Sequence, residues 1–235
     1  MSPIDFIGTI VLIAVLIVNV SAVIAAMQVS QRQRLALGAT VGLWAGLQIA
    51  LANAGAYHSP IPYIGVSVML PLLAAAVALR VSPSLRSALT GVPTSLLVGL
   101  NISRVLGVFF LLLAADGRLG GPFPHSAGWG DIVTGAIALP LALALVRGVA
   151  SRGFTGGWNA FGLIDLVTAV GLGVVSGPGS PVQLIAGGVG PTAIADFPWT
   201  LIPTVLVPFY LIVHAIVFMQ LRQADTLPNA VTRPA

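Results

Sequence analysis

Long apolar runs alternate with short polar interruptions along the whole chain. Seven runs stand out, at about 4–27, 35–56, 63–80, 91–115, 128–147, 159–176 and 199–221. Each is about 18–25 residues long, the length that a hydrocarbon core of about 30 Å requires at about 1.5 Å per helical residue. The pattern predicts an all-α integral membrane protein: a single domain over 1–225 with seven transmembrane helices, then a short tail at 226–235. The first run does not have the features of a cleaved signal peptide. Asp5 precedes it where a basic segment would stand, and the run is too long.

The interruptions are short, which predicts antiparallel neighbours, and they carry the charge unevenly. The N-terminus, 57–62, 116–127 and 177–198 hold one base, Arg118. The opposite connections hold Arg32, Arg34, Arg80, Arg86, Arg147, Arg152, Arg222 and Arg233. Cytoplasmic loops are enriched in arginine and lysine, so the N-terminus is expected outside and the C-terminus in the cytoplasm. Trp129, Trp158 and Trp199 each fall at a predicted span edge, where interfacial aromatics are common.

Segment 177–198 has five Gly and four Pro, too apolar for a free linker and too broken for a helix. It is either a re-entrant or interface-lying cap on the outer face or a plain loop. A weak internal repeat pairs GLQIALANAG (46–55) with GLIDLVTAVG (162–171), and IPYIGVSVMLP (61–71) with FPWTLIPTVLVP (197–208). It suggests a 3+1+3 build with span four as linker, a plan many transporters use.

Composition agrees with the pattern. Hydrophobic residues make up 57% of the chain, charged residues 7%, and the mean hydropathy is +1.03. Soluble domains carry about 25% charged residues, so lipid is the expected solvent. Every acid is Asp and every base is Arg, which together with abundant Ala, Gly and Val suggests a GC-rich bacterial genome and the bacterial inner membrane.

The net charge of +4 would suggest nucleic acid in a soluble chain, but these arginines lie at helix ends and set topology, so no nucleic-acid partner is expected. Having no Cys excludes disulfides, thiolate metal sites and iron–sulfur clusters, and having no Lys excludes a retinal or pyridoxal Schiff base. No phosphate-binding loop, HExxH, GxSxG or DxD pair is present, and the three His are not placed to give one chain a bis-histidine haem. No cofactor and no metal site is expected.

Ionisable residues inside apolar spans are costly and generally face the bundle interior. Arg104 in span four should lie about 20 Å from the cytoplasmic edge, with Asn101 one turn away on a shared polar face. It would either clamp an anionic group of a ligand or tie helices together. Asp165 in span six and His214 in span seven are expected at matched depths of about 10–12 Å. As a direct pair they would relay a proton, gate a transporter or fasten two helices.

Asp131 falls about one turn into span five. It is expected either to meet the helix dipole or to join Arg118, His125 and Asp196 in an outer vestibule. Its predicted depth differs from that of Arg104 by about 12 Å. Asn19, Gln48 and Asn53 would hydrogen-bond between helices, and Pro140, Pro203 and Pro208 should disturb the spans they occupy, above all the last.

The strings WNAFGLIDL (158–166), AGWGDIVTG (127–135) and PWTLIPTVLVPFYLIVH (198–214) resemble those of uncharacterised bacterial multi-pass, seven-helix membrane proteins. The likeness covers mainly spans four to seven and implies no activity. The proline–glutamine motif of the sugar-transporter-like seven-helix families is absent.

The residues therefore suggest a protein that binds or transports a small molecule or ion at Asn101, Arg104, Asp165 and His214. The alternatives are an accessory or scaffold subunit of a membrane complex, and an intramembrane enzyme acting on lipid or quinone. The expected partners are the bilayer, a small-molecule or anionic ligand, and a second copy or a membrane complex.

Because the chain is free of cysteine, its orientation can be tested with single cysteines. A cysteine replacing Ser2 should react with an impermeant maleimide on intact cells. One replacing Thr232 should react only after permeabilisation, and the reverse labelling would invert the topology.

Overall fold

The computed structural model describes residues 2–58, 63–179, 181–186 and 188–226. Among them every regular element is helical. Seven helices are long and apolar enough to cross a membrane, and the chain is a multi-pass membrane protein. The spans are α1 (Pro3–Ala26), α2 (Gln31–Asn53), α3 (Tyr63–Val81), the broken helix α5–α6 (Thr94–Ala115), α7 (Phe123–Val146), α8 (Arg152–Val175) and the stretch Ile202–Gln223 leading through α9 (Val207–Thr226). A short helix, α4 (Pro83–Thr90), lies between α3 and α5. The tail expected at 226–235 lies outside the described residues apart from Thr226.

The helices start where side chains can satisfy the free amides of a first turn. Ser2 with Asp5 and Ser30 with Gln33 form capping boxes on α1 and α2, and Ser151 caps α8. That last cap sets α8 seven residues ahead of the expected start at 159, and α7 begins five residues ahead of 128. Hydropathy missed both because the first turns, FPHSAGWG and RGFTGGWN, are polar or small.

At the opposite end, arginines cap helix C-termini, where carbonyls lack partners and the dipole favours a cation. Arg34 Nη2 donates to Met27 O at 3.2 Å, Arg86 Nε donates to Leu79 O at 2.8 Å, and Arg152 donates to Leu221 O. Gln220 closes the break between α4 and α5. It donates to Thr90 O and Val92 O, and Thr94 Oγ1 donates to its Oε1.

The core runs along α5–α6, α7, α8 and α9. One cluster, including Leu12, Phe109, Phe110, Phe123, Trp199 and Tyr210, fills the end of the bundle where α1 begins. Another, including Val23, Leu97, Leu100, Val213 and Val217, fills the arginine-rich end. Trp158 and Trp199, expected among interfacial aromatics, are buried in the core. Trp158 donates to Thr134 O and Trp199 to Asp5 Oδ1, so both indoles are held inside. Trp129 is exposed.

Two core spans depart from α geometry. In span four, Asn101–Gly107 is 3-10 helix. Asn101 Nδ2 donates to Leu97 O, and Ser103 Oγ to Leu100 O, so side chains compete for carbonyls of the preceding turn. In span seven, Ile202–Leu206 is π-helix, containing Pro203 and followed by Pro208. Pro208 has no N–H for the carbonyl of Thr204, four residues back. Trp44 of α2 supplies the donor, with Nε1 to Thr204 O at 2.9 Å.

The described residues of segment 177–198 form turns, with a 3-10 turn at Thr192–Ala195. Ala193, Ile194 and Ala195 are buried against the bundle, whereas Val182, Leu184 and Val189 are exposed.

Removing the Trp44 donor by Trp44→Phe should destabilise the protein by about 1 kcal/mol, the usual net value of one hydrogen bond. The melting temperature in detergent should fall, and a smaller drop is expected in a Pro208→Ala background, where residue 208 has its own N–H.

Candidate functional site: a buried arginine between two aspartates

Arg104 projects from the 3-10 turn of span four into the centre of the bundle, with its side chain only 1% exposed. A guanidinium has donors and no acceptor, so burial requires acceptors around it. Three elements supply them. Nε donates to Asp131 Oδ1 of α7 at 2.7 Å, and Nη2 to Asp165 Oδ2 of α8 at 2.5 Å. Nη1 lies 3.2 Å from Gly162 O of α8 and 3.1 Å from His214 Nε2 of α9. The Tyr210 ring stands 5.9 Å from the guanidinium carbon.

The bonds fix the histidine tautomer. Arginine only donates, so Nε2 of His214 is the acceptor, and Nδ1 carries the proton and donates to Asn159 Oδ1 at 2.7 Å. Asn159 Nδ2 donates back to the His214 carbonyl at 3.0 Å. Beside Arg104, Tyr210 OH lies 2.6 Å from Ser103 Oγ and accepts from Asn19 Nδ2 at 2.9 Å.

Glycine makes the approach of these helices possible. A methyl group at Gly130 would lie 1.7 Å from Asp165 Oδ1. One at Gly162 would lie 2.7 Å from His214 Cε1 and 3.0 Å from Arg104 Nη1. One at Gly135 would lie 2.7 Å from the Val105 backbone nitrogen, so α7 and span four meet backbone to backbone. Small residues serve the same purpose at membrane helix interfaces generally.

Several sequence expectations change here. Arg104, Asp165 and His214 do converge, but Asp165 and His214 meet through Arg104 and not as a direct pair. The early start of α8 puts Asp165 thirteen residues past Arg152, about 20 Å along the helix instead of about 10–12 Å. Asp131 is eight residues past Phe123, about 12 Å along α7, so it is neither a first-turn charge nor separated in depth from Arg104. Asn101 does not touch Arg104; it bonds within its own helix, and its Oδ1 has no partner.

The outer vestibule does not assemble from its four residues. Arg118 pairs with Asp5 at 2.8 Å, His58 with Asp196 at 2.8 Å, His125 is exposed on α7, and Asp131 belongs to the central cluster. Of the other amides, Asn19 and Gln48 are buried and hydrogen-bonded, and Asn53 is exposed.

Sequence reasoning missed Asn159, Gly130 and Gly162 as parts of the site. Asn159, Gly162 and Asp165 recur at intervals of three in WNAFGLIDL, one helix face, and that spacing was the available signal.

A cavity of about 220 Å³ adjoins the cluster. It runs from the cap, at Pro178, Pro191 and Thr192, between α3 and α8 to Asp131, with walls that include Phe110, Phe123, Leu166, Val170, Ile202 and Val207. Tyr57 and the His58–Asp196 pair stand near its outer end. The Tyr57 hydroxyl donates to Gln48 Oε1 and lies 3.1 Å from Ser67 Oγ, and burial pushes its pKa above the usual phenol value. A second space of about 30 Å³ reaches from Asp131 and Arg104 to Ser103 and Tyr210.

Gly130→Ala should break the cluster. Overpacking costs about 1–3 kcal/mol, and displacing Asp165 from Arg104 adds to it. Gly157→Ala on the open face of α8, where nothing lies within 4 Å, should leave the melting temperature unchanged or slightly raised. Equal effects of the two substitutions would refute the packing role of Gly130.

A family model described as Domain of unknown function (DUF8737) matches residues 61–222. The match contains Arg104, Asp131, Asn159, Asp165 and His214 and leaves out α1 and α2. No curated protein and no solved structure matches the chain.

Proposed function

Because the chain belongs to the DUF8737 family, a domain family of unknown function, we propose a role from the site itself. The protein binds a small molecule in the cavity that ends on Asp131 and carries it across the bacterial inner membrane, with the start of α1 on the outer side. The observation that supports this reading is the coincidence of two features. A cavity of about 220 Å³ opens beside the cap, and its far end is a member of the buried ion cluster.

The two irregular spans support it as well. The π segment of span seven lines the cavity through Ile202 and Pro203, and the 3-10 segment of span four carries Arg104. Non-α turns inside long helices are common at functional hinges. Movement of either span would change which end of the bundle the site faces.

Arg104 serves as the pivot and not as the clamp for an anionic ligand considered from sequence. Its three nitrogens are already engaged by Asp131, Asp165, Gly162 and His214. The same saturation favours a second reading, in which the cluster only fastens α7, α8 and α9 to span four within a scaffold or accessory subunit.

Proteoliposome flux of a panel of small amines, alcohols and carboxylates separates the two. Under the transport reading, Ala169→Leu, which fills the cavity wall, cuts the flux of the transported compound at least tenfold and leaves the melting temperature unchanged. Asp165→Asn and Arg104→Ala reduce flux too, and Arg104→Ala also destabilises by about 3–5 kcal/mol by leaving buried charge unpaired. If the Arg104 and Asp165 variants only lose stability and Ala169→Leu changes no flux, the fastening reading stands.

A further inference from the structure

The central cluster holds more acidic groups than basic ones. Arg104 contributes one positive charge and meets two carboxyl groups, those of Asp131 and Asp165, while His214, held as the Nδ1–H tautomer, contributes none. A second carboxylate inside a bundle with lipid around it is costly unless it holds a proton or a cation meets it. The two carboxylates are not equivalent. Asp165 is 8% exposed and does not line the cavity, whereas Asp131 is 15% exposed and does. Asp131 uses Oδ1 for Arg104. Asp131 is thus the acidic group of the cluster that lines the cavity.

Apart from His58 and Thr192 near its outer end, the rest of the lining is mainly apolar or aromatic. Phe110, Phe123, Val170, Ile202 and Val207 line its inner part, with Tyr57 and Tyr63 further out. Arg104 stays behind Asp131 and does not reach this space. The one other base on its lining, His58, is occupied by Asp196.

We infer that the ligand is a small organic cation with an apolar body, its ammonium group on the Asp131 carboxylate and its body among the Phe110, Phe123 and Val170 side chains. This inference rests on the cavity being the binding site. A cavity of about 150 Å³ takes a benzene ring, so the site's volume of about 220 Å³ suits a single-ring or short-chain amine and not a phospholipid. Aromatic faces attract cations as well as apolar carbon, so the walls add to the preference.

The test uses the purified full chain in detergent and three probes of one shape: phenethylamine, 2-phenylethanol and 3-phenylpropionate. Melting temperature is followed against concentration at neutral pH. The expected result is an apparent affinity for phenethylamine at least tenfold above that for the alcohol and the carboxylate. Ala169→Leu should weaken phenethylamine binding at least tenfold, and Asp131→Asn should erase the preference for the amine. If Asp131→Asn does not fold, the probe series on the wild type and on Ala169→Leu decides the matter.

Comparable binding of all three probes, lost in Ala169→Leu, would overturn the cationic class and leave the cavity as a binding site. Amine binding untouched by Ala169→Leu would place the ligand elsewhere and overturn the inference. Absence of binding by all three probes would overturn both the inference and the reading it rests on.

Discussion

A guanidinium in the middle of an apolar helix bundle sets the terms for everything around it. Arg104 cannot shed its charge and cannot reach water, so the fold must bring acceptors to each of its nitrogens. Three helices do so, each with a different group: a carboxylate from α7, a carboxylate and a backbone carbonyl from α8, and an imidazole nitrogen from α9. The arrangement holds four spans at one depth. It also decides the protonation of His214, which can accept from Arg104 only through a bare Nε2.

Lipid offers helices little hydrophobic reason to associate, so close packing and polar contacts carry more of the burden than in water. The chain answers with glycine where backbones meet. Gly128, Gly130 and Gly135 let α7 lie against span four and α8, and Gly162 leaves room for His214 and Arg104. Where backbone bonds are broken, a side chain repairs them. Trp44 meets the carbonyl that Pro208 leaves open, and Gln220 satisfies the turn between α4 and α5. The repairs sit in the periphery of the same two spans that depart from α geometry. Those spans combine local irregularity with firm anchoring, as an element that bends at one place requires.

The cavity follows from the same packing. The 193–195 turn of the cap packs into the α1 end of the bundle, and α3 leans on the π segment and α9, not on α8. The space left between α3 and α8 runs inward until the Arg104 cluster closes it at Asp131. The cluster is thus both the joint of the bundle and the floor of the cavity. That double position makes one residue, Asp131, face two environments: a saturated arginine through Oδ1 and the cavity it lines.

Apolar runs of the right length determined the seven spans, because any backbone crossing lipid must bond to itself and a helix is the way a single segment does so. The cost of charge in lipid singled out Arg104, Asp165 and His214, and those residues do share one site. Hydropathy could not locate helix starts built from polar caps and glycine, so it misjudged the depths of Asp131 and Asp165 and placed Asp131 in a vestibule. It also could not show that an arginine would sit between the aspartate and histidine expected to pair. Those outcomes depend on which helices become neighbours and how closely their backbones approach. Such distances are set jointly by residues far apart in the chain, Gly130 against Asp165 and Gly162 against His214, and exist only once the bundle has assembled.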